Sequence, residues 1–472
     1  MDAAKIKSDV EHAWNESVLH ELCEYIKIPN KSPSFDSDWK KNGHMDRAME
    51  RVVAWCKKQP IKGMVIEELQ LEGRTPLLFI DIEGDLEDSV LLYGHIDKQP
   101  EMTGWSEGKG PWEPVIEGDK LYGRGGADDG YAVFASLTAI KNLQAQNLPH
   151  GRCVLIIEAS EESGSSDLPA YLDHLGSRIG NPDLIVCLDS GCGNYETLWS
   201  TTSLRGVITA DLHIEIQREG MHSGQGSGIV PSWYSVLNRL IARIEDPETG
   251  RIYPDELNVE IPEQNRKQAE AAAEILKDSF RHDFTFVGNT RPVSDSISEL
   301  LLNQSWRPAL TVTGIDGVPS IKDAGNVTLP KVSVKLSLRV PPTCEVEQAC
   351  AFLKETFEKE PPHGADIRLT NIEAGGGWRA PALAPWLEEA SHTASETFFG
   401  QKSAYIGEGG SIPFMGMLGK KFPNAQFLIT GLLGPNSNAH GPNEFLHIPM
   451  FKKLACSISS VLLSHYQYRK NS

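Results

Sequence analysis

Three apolar runs in this chain end on residues that hold cations or move protons. His95-Ile96-Asp97 closes the run Val90-Leu91-Leu92-Tyr93, Glu161-Glu162 follows Val154-Leu155-Ile156-Ile157, and Asp189 ends the run that begins at 183. Asp128 sits in the glycine-rich segment 121–128, and His440 follows Asn438-Ala439. Imidazoles and carboxylates spaced in this way suit divalent cations and general acid–base chemistry. Each motif alone is cheap, because His-x-Asp occurs twice here and Glu-Glu three times. Context separates them. His44-Met45-Asp46 falls in a helical stretch bearing Lys and Arg, and reads as a solvated helix face. In a strand, residues at i and i+2 leave on the same side, so His95 and Asp97 enter one strand-end cleft. There the carboxylate can accept the ring's free N–H and fix its tautomer. Glu67-Glu68 and Glu388-Glu389 suit surface positions, whereas charges at the end of a core strand such as Glu161-Glu162 need a reason to be there.

Competing readings of the glycine-rich segment fail on spacing. Gly123-x-Gly125 would need a glycine at 128 to form a dinucleotide cradle, and no Gly-Lys-Ser/Thr follows to form a phosphate loop. A carboxylate flanked by small residues instead leaves room for two cations, roughly 3.5–4 Å apart, to share it. Gly220-Met221-His222-Ser223-Gly224 places its serine one position late for a hydrolase nucleophile elbow.

The elements that must position these groups alternate. Apolar runs at 76–82, 89–95, 153–159 and 183–189 are interleaved with amphipathic helices at 131–146 and 167–175, which predicts a sheet sandwiched by helices with binding groups at strand ends. From 204 the character changes. Strands at 207–216, 309–313, 332–340 and 365–371, with helices at 230–244 and 345–359 and a polar helical stretch to 278, predict an inserted α+β unit. Gly375-Gly376-Gly377 and the prolines at 381 and 385 mark the return to a helix at 386–398, a strand at 425–430 and a terminal helix from 449. The expected fold is α/β: a helix-sandwiched mixed sheet over 1–203 and 381–472, interrupted by a smaller unit over 204–380.

Composition narrows the function. With 472 residues, 40% of them apolar and 23% charged, the chain is expected to be globular with at least two domains. Lys and Arg total 45 against 64 Asp and Glu, a net charge of −19 that disfavours nucleic acid and anionic membranes. The first 27 residues carry helical spacing without a continuous apolar core, and eight cysteines form no Cys-x-x-Cys pair. A cytosolic protein with reduced thiols is the expectation.

The runs Gly94-His95-Ile96-Asp97, 121–128, Ser160-Glu161-Glu162-Ser163-Gly164, Leu188-Asp189, Met221-His222-Ser223-Gly224, Leu338-Arg339-Val340-Pro341, Glu408-Gly409-Gly410-Ser411-Ile412-Pro413 and Asn438-Ala439-His440 resemble, in order, the motifs of M20 metallopeptidases. The likeness is greatest to the cytosolic dipeptidase and carnosinase-like branch. It implies a catalytic domain with two divalent ions, Zn²⁺ with Mn²⁺ or Co²⁺ as alternatives, and a lid that also makes a homodimer. By the same resemblance His95 and Asp189 hold one ion, Glu162 and His440 the other, and Asp128 bridges them. Glu161 is implied as general base for a metal-bridging hydroxide, and Asp97 as the group that orients His95. His222 is implied to reach the oxyanion across the dimer, Arg339 to pair with a substrate carboxylate, and Gly409, Gly410 and Ser411 to close on that end. His447 is read as structural.

Asp rather than Glu at 189 resembles the dipeptidases and aminopeptidases of the family, so the expected substrate is a small free-amine dipeptide. The alternative is an amidase or deacylase acting on an N-acyl amino acid at the same site. A third reading, a metal-binding scaffold without turnover, has no need of Glu161. Two departures from the family pattern stand out. Its Asp-x-Lys-Gly is here Asp128-Asp129-Gly130-Tyr131, without the lysine, and no histidine precedes the glycines at 375–377.

Overall fold

A computed structural model of the protein describes residues 1–86, 89–282 and 284–472. Its central sheet has six strands in the spatial order Met64–Leu69, Leu77–Ile82, Arg152–Glu158, Ser89–His95, Leu184–Cys187 and Gln426–Ile429. The first two junctions are antiparallel and the other three parallel, so the sheet is mixed. Strand Ser89–His95 is buried along its whole length. Its alternate residues enter different cores: Val90 and Leu92 join a cluster with Ile6, Ala48, Phe134 and Leu454, while Leu91 and Tyr93 join one with Leu172, Phe414 and Leu418. Helices Ala3–Ala13, His44–Lys57, Ala132–Ala145 and Ile448–Asn471 therefore cover one face, and helices Leu168–Leu175 and Pro413–Lys421 the other. Burial on both faces explains why these strands read as continuous apolar runs.

The second unit is an antiparallel sheet in the order Ala309–Asp316, Lys331–Val340, Gly206–Glu215, Asp366–Gly375. Strand Gly206–Glu215 alternates buried and half-buried residues without a break. One face packs on helices Trp233–Ile241 and Val346–Glu358 through Leu212, Leu240, Leu336, Leu353 and Phe357, and the other is polar. The helix expected over 230–244 is shorter, spanning Trp233–Ile241, because Ser232 at its N-terminal boundary is extended. Helix Glu263–Leu276, within the polar helical stretch expected to 278, and helix Ile297–Ser305, not expected from sequence, both fall inside 204–380 but lay Ala269, Ala272, Leu276, Leu301 and Leu302 on the core of the first unit.

Two smaller sheets accompany these, the first of them at the junction of the two units. Trp199–Leu204 pairs antiparallel with Trp378–Arg379 and parallel with Ala404–Glu408, so entry to and exit from the inserted unit lie side by side. Val115–Glu117, Lys120–Tyr122 and Phe445–His447 form the other, flanked in sequence by the loops at 123–130 and 434–444. Among the described residues no helix is long and apolar enough to cross a membrane.

Candidate metal centre

The three parallel strands Arg152–Glu158, Ser89–His95 and Leu184–Cys187 end at one edge of the sheet, where binding groups of open α/β sheets collect. His95 is the last residue of its strand, Glu161 and Glu162 lie in a 3₁₀ turn three residues beyond theirs, and Asp189 lies two beyond Cys187. The fourth parallel strand, Gln426–Ile429, leads into the loop that brings back His440. Asp128 enters from the Gly126–Gly130 turn ahead of helix Ala132–Ala145.

These residues converge in two triads with a common member. His95, Asp128 and Asp189 form one, and Asp128, Glu162 and His440 the other, each with its ligand atoms within 4.8 Å of one another. His95 Nε2 stands 3.5 Å from Asp128 Oδ1 and 3.7 Å from Asp189 Oδ2. His440 Nε2 stands 3.0 Å from Asp128 Oδ2 and 3.4 Å from Glu162 Oε2. Each Asp128 oxygen thus faces a different imidazole, as a bridge requires. His440 adopts φ +65°, a left-handed conformation unusual for a side chain with a Cβ, and it is the exposed member of the set.

Asp97 is buried beneath the triads and does more than orient a ring. Its Oδ1 lies 3.4 Å from His95 Nδ1, which also faces the Asp97 carbonyl at 3.1 Å. Its two carboxylate oxygens accept the amides of Glu161 (3.1 Å) and Glu162 (2.9 Å). One side chain therefore sets the imidazole of one triad and the turn that supplies the other.

The electrostatics call for cations. Burial, reinforced by the Asp189 charge, pushes Glu161 well above the ordinary carboxylate range. Burial and Asp128 raise Glu162 to about 8. Burial opposes the charge on Asp128, yet the adjacent His440 and His95 imidazoles prevail and hold it below its usual value. Against their own burial, both imidazoles are raised, His440 to about 9 by Asp128, and His95 well above its usual value with Asp189 the leading cause. His95 Nε2 and Glu162 Oε1 are buried without a hydrogen-bond partner. Orphaned buried ligand atoms amid excess carboxylate fit two divalent ions, and a nitrogen–oxygen donor set suits zinc without excluding Mn²⁺ or Co²⁺.

The groups expected at the substrate's carboxylate end meet in this chain. Arg339 Nη1 donates to Ser411 Oγ (3.2 Å), and Ser411 Oγ donates to the carbonyl of Arg205 (2.6 Å). Arg205 Nε donates to the Gly409 carbonyl (3.4 Å), while nothing crowds Gly410. Burial lowers both guanidiniums, Arg205 to about 10 with the Arg339 charge contributing. His222 is elsewhere. It caps the short helix Ser223–Gly226 on the inserted unit, with its ring accepting the Gly224 amide (3.0 Å) and its backbone bridged to Val327. His447 caps helix Ile448–Asn471 and stacks on Tyr195.

Several supporting residues escaped sequence reasoning. Gln99 donates to Glu162 Oε2 at 2.5 Å, and Asp129 accepts the His95 amide at 3.3 Å. Arg124, buried, donates to Glu444 (2.5 Å), to the Gly441 carbonyl (2.7 Å) and to the Pro100 carbonyl (3.2 Å), tying three site loops together. Glu444 also accepts the Gly125 amide at 2.9 Å. Glu408 is half-buried on the Asp189 side, where Ser190, Gly191 and Thr201 donate to one of its oxygens. Each is a charged or amide residue within four positions of a motif; that adjacency was the available signal.

The geometry agrees with what the chain resembles. It is 25% identical over 378 residues to a cysteinylglycine-S-conjugate dipeptidase of Corynebacterium striatum, covering 80% of this chain and 81% of that protein. It is 24% identical over 386 residues to the human Beta-Ala-His dipeptidase, covering 78% and 73%. The dipeptidase Dug1p of Saccharomyces cerevisiae superposes with a TM-score of 0.75 at 20% identity, over 99% of both chains, which establishes the shared fold. The model of peptidase family M20/M25/M40 matches residues 91–464, a span that holds both triads, and the chain belongs to that family.

Proposed function

We propose that the protein is a dimetal dipeptidase that hydrolyses small peptides with a free amine. The observation that carries this reading is the pair of triads sharing Asp128, with Glu161 half-buried in the turn that also supplies Glu162. When bound, the two divalent ions, zinc in our reading, would polarise the substrate carbonyl and a water molecule. His95 and Asp189 would hold one ion and Glu162 and His440 the other. Glu161 then takes the proton of the attacking water and delivers it to the leaving amine; its raised proton affinity favours accepting that proton. Asp97 keeps the Glu161 backbone in place through the amide it accepts.

Arg339 and the Gly409–Ser411 turn provide donors for the substrate carboxylate, which a planar guanidinium pairs with in bidentate fashion. Glu408 supports a free amine, because the donors to this half-buried carboxylate among the described residues are the neutral groups of Ser190, Gly191 and Thr201, and an ammonium would balance its charge. An N-acyl substrate offers no such charge. The exposed position of His222 is compatible with action on the site of a second copy, so the reading includes a homodimer with 204–380 as lid. All eight cysteines are free, which supports a reducing, cytosolic setting.

The test is amine release from a mixed dipeptide panel and its N-acetylated counterparts, with enzyme stripped of metal and then restored with Zn²⁺ or Mn²⁺. Metal-dependent cleavage of the free-amine set alone is expected. Cleavage of the acetylated set would move the assignment to an amidase, and silence on both would overturn the hydrolytic reading.

A further inference from the structure

Lys98 has no part in the chemistry above, yet it follows Asp97 directly and is wholly buried. Its ammonium is held by carbonyls rather than by an acid. Nζ donates to the carbonyls of Tyr25 (2.9 Å), Ile28 (2.9 Å) and Ile26 (3.4 Å), at the C-terminal end of helix Leu19–Ile26, and lies 3.9 Å from the Tyr25 ring centroid. Carbonyls at a helix C-terminus lack partners within the helix and carry its negative pole, so they suit a cation. Glu444, whose charge also acts on Lys98, is already paired with Arg124. An apolar side chain of similar length would fill this space without the cost of burying an ammonium.

The position of the side chain supplies the reason. The metal-site loop lies on the floor that Lys98 and this helix end create. A Cβ added to Gly125, where φ is +79°, would meet Lys98 Cε at 2.5 Å, and one added to Gly123 would meet Ile26 Cγ2 at 2.4 Å. One added to Gly130 would meet Tyr25 Cε1 at 2.2 Å. Tyr25 in turn donates its hydroxyl to the Ile96 carbonyl (2.7 Å). The Lys98 backbone reaches the remaining side of the site. Its amide donates to the Asn30 carbonyl (3.2 Å) and its carbonyl accepts the Ser32 amide (2.9 Å), while Ser32 Oγ lies 2.5 Å from the hydroxyl of Ser163, next to Glu162.

We propose that Lys98 is a positioning residue for the ion site, clamping helix end 25–28, strand end 95–97 and loop 123–130 so that Asp97 and Asp128 are held at their spacing. Gly130 occupies the place where the family pattern has a lysine, and no side chain fits there against Tyr25. In this chain the ammonium reaches the floor of the same loop from the strand end instead.

The proposal rests on the dimetal reading, and its test separates the two. Lys98→Met keeps the stem and removes the charge. Affinity for Co²⁺ and the visible absorption of the cobalt-loaded protein are read without substrate, alongside kcat and KM on a dipeptide and Tm with and without metal. We expect Co²⁺ affinity to fall about 10–100-fold, as for loss of groups that orient metal ligands, with an altered cobalt spectrum, kcat down at least tenfold and KM within twofold. If Lys98→Met does not fold, Lys98→Gln, whose amide reaches at most two of the three carbonyls, is measured in the same way with intermediate losses expected. Unchanged Co²⁺ affinity and spectrum in a folded variant would overturn the proposal, as would equal Tm losses in apo and metal-loaded forms without a change in affinity. Wild-type protein that binds two Co²⁺ but cleaves no dipeptide would refute the dipeptidase reading and leave the clamp intact.

Discussion

The ion-binding edge and the lid loop around His222 differ in how completely one chain builds them. At the edge, Asp97 takes two backbone amides, Gln99 holds Glu162, and Arg124 ties the loops at 100, 124 and 441 together. His222 is exposed, and its ring accepts the Gly224 amide of its own turn. The Arg339–Ser411–Arg205 cluster is intermediate: it is built from one chain but across both units. The candidate ion ligands are thus fixed within one chain, where preorganised electrostatics need them, whereas the group proposed to meet the substrate's oxyanion sits on an exposed turn of the inserted unit.

The largest effect should come from Glu161→Gln. It leaves the triads intact, so bound metal should be retained while kcat falls by about 10²–10⁴-fold; activity near wild type would remove Glu161 from the proton-transfer role. His222→Ala should lower kcat by about 10²–10³-fold, as for loss of one oxyanion donor, without changing metal content or Tm. Mixing the His222→Ala and Glu161→Gln chains then sharpens the contrast between the regions. Activity restored in verified heterodimers means that the lid loop serves the partner's edge, and no rescue means that it closes on its own.

Asp97→Asn should come next. Its amide group still reaches His95 but can no longer accept both turn amides as a carboxylate, and metal affinity should drop by about 10–100-fold. Titration of apo-protein with metal checks this, and an unchanged affinity would make the Asp97 network dispensable.

The smallest effect concerns pH. In the metal-free protein Glu162 is raised from 4.5 to about 8 and His440 from 6.5 to about 9. A folded-state pKa above the unfolded value adds stability that is complete below the unfolded value and lost as pH rises through the folded one. Both groups therefore make the apo-protein less stable between about pH 6 and pH 9, the range in which ions replace those protons. The rise in Tm on adding Zn²⁺ should grow across that range, and a rise that shrinks with pH would contradict the assignment of these two residues.

Sequence patterns exposed the strands buried on both faces because Val, Ile and Leu fill them without interruption. They did not expose Trp199–Leu204, whose Ser-Thr-Thr-Ser run is buried, with Thr201 donating to Glu408. Strand Met64–Leu69, at the sheet edge and half exposed, carries two glutamates and lacks the continuous apolar run of its neighbours. Helix Glu263–Leu276 shows its period, but a face of small residues gives no sign of which core it will meet. At the site, the ligand types and their strand-end contexts were legible. The second layer was not, since Arg124, Glu444 and Lys98 are recognisable only once distant loops are seen to meet: Arg124 and Glu444 are 320 residues apart.

The most direct test of the central claim is the number of divalent ions per chain, measured by elemental analysis after dialysis against Zn²⁺, for wild type and Asp128→Ala. The shared triads predict two per chain in wild type and fewer than one in the variant, because Asp128 serves both positions. A single ion in wild type, or two retained without Asp128, would contradict the bridged centre.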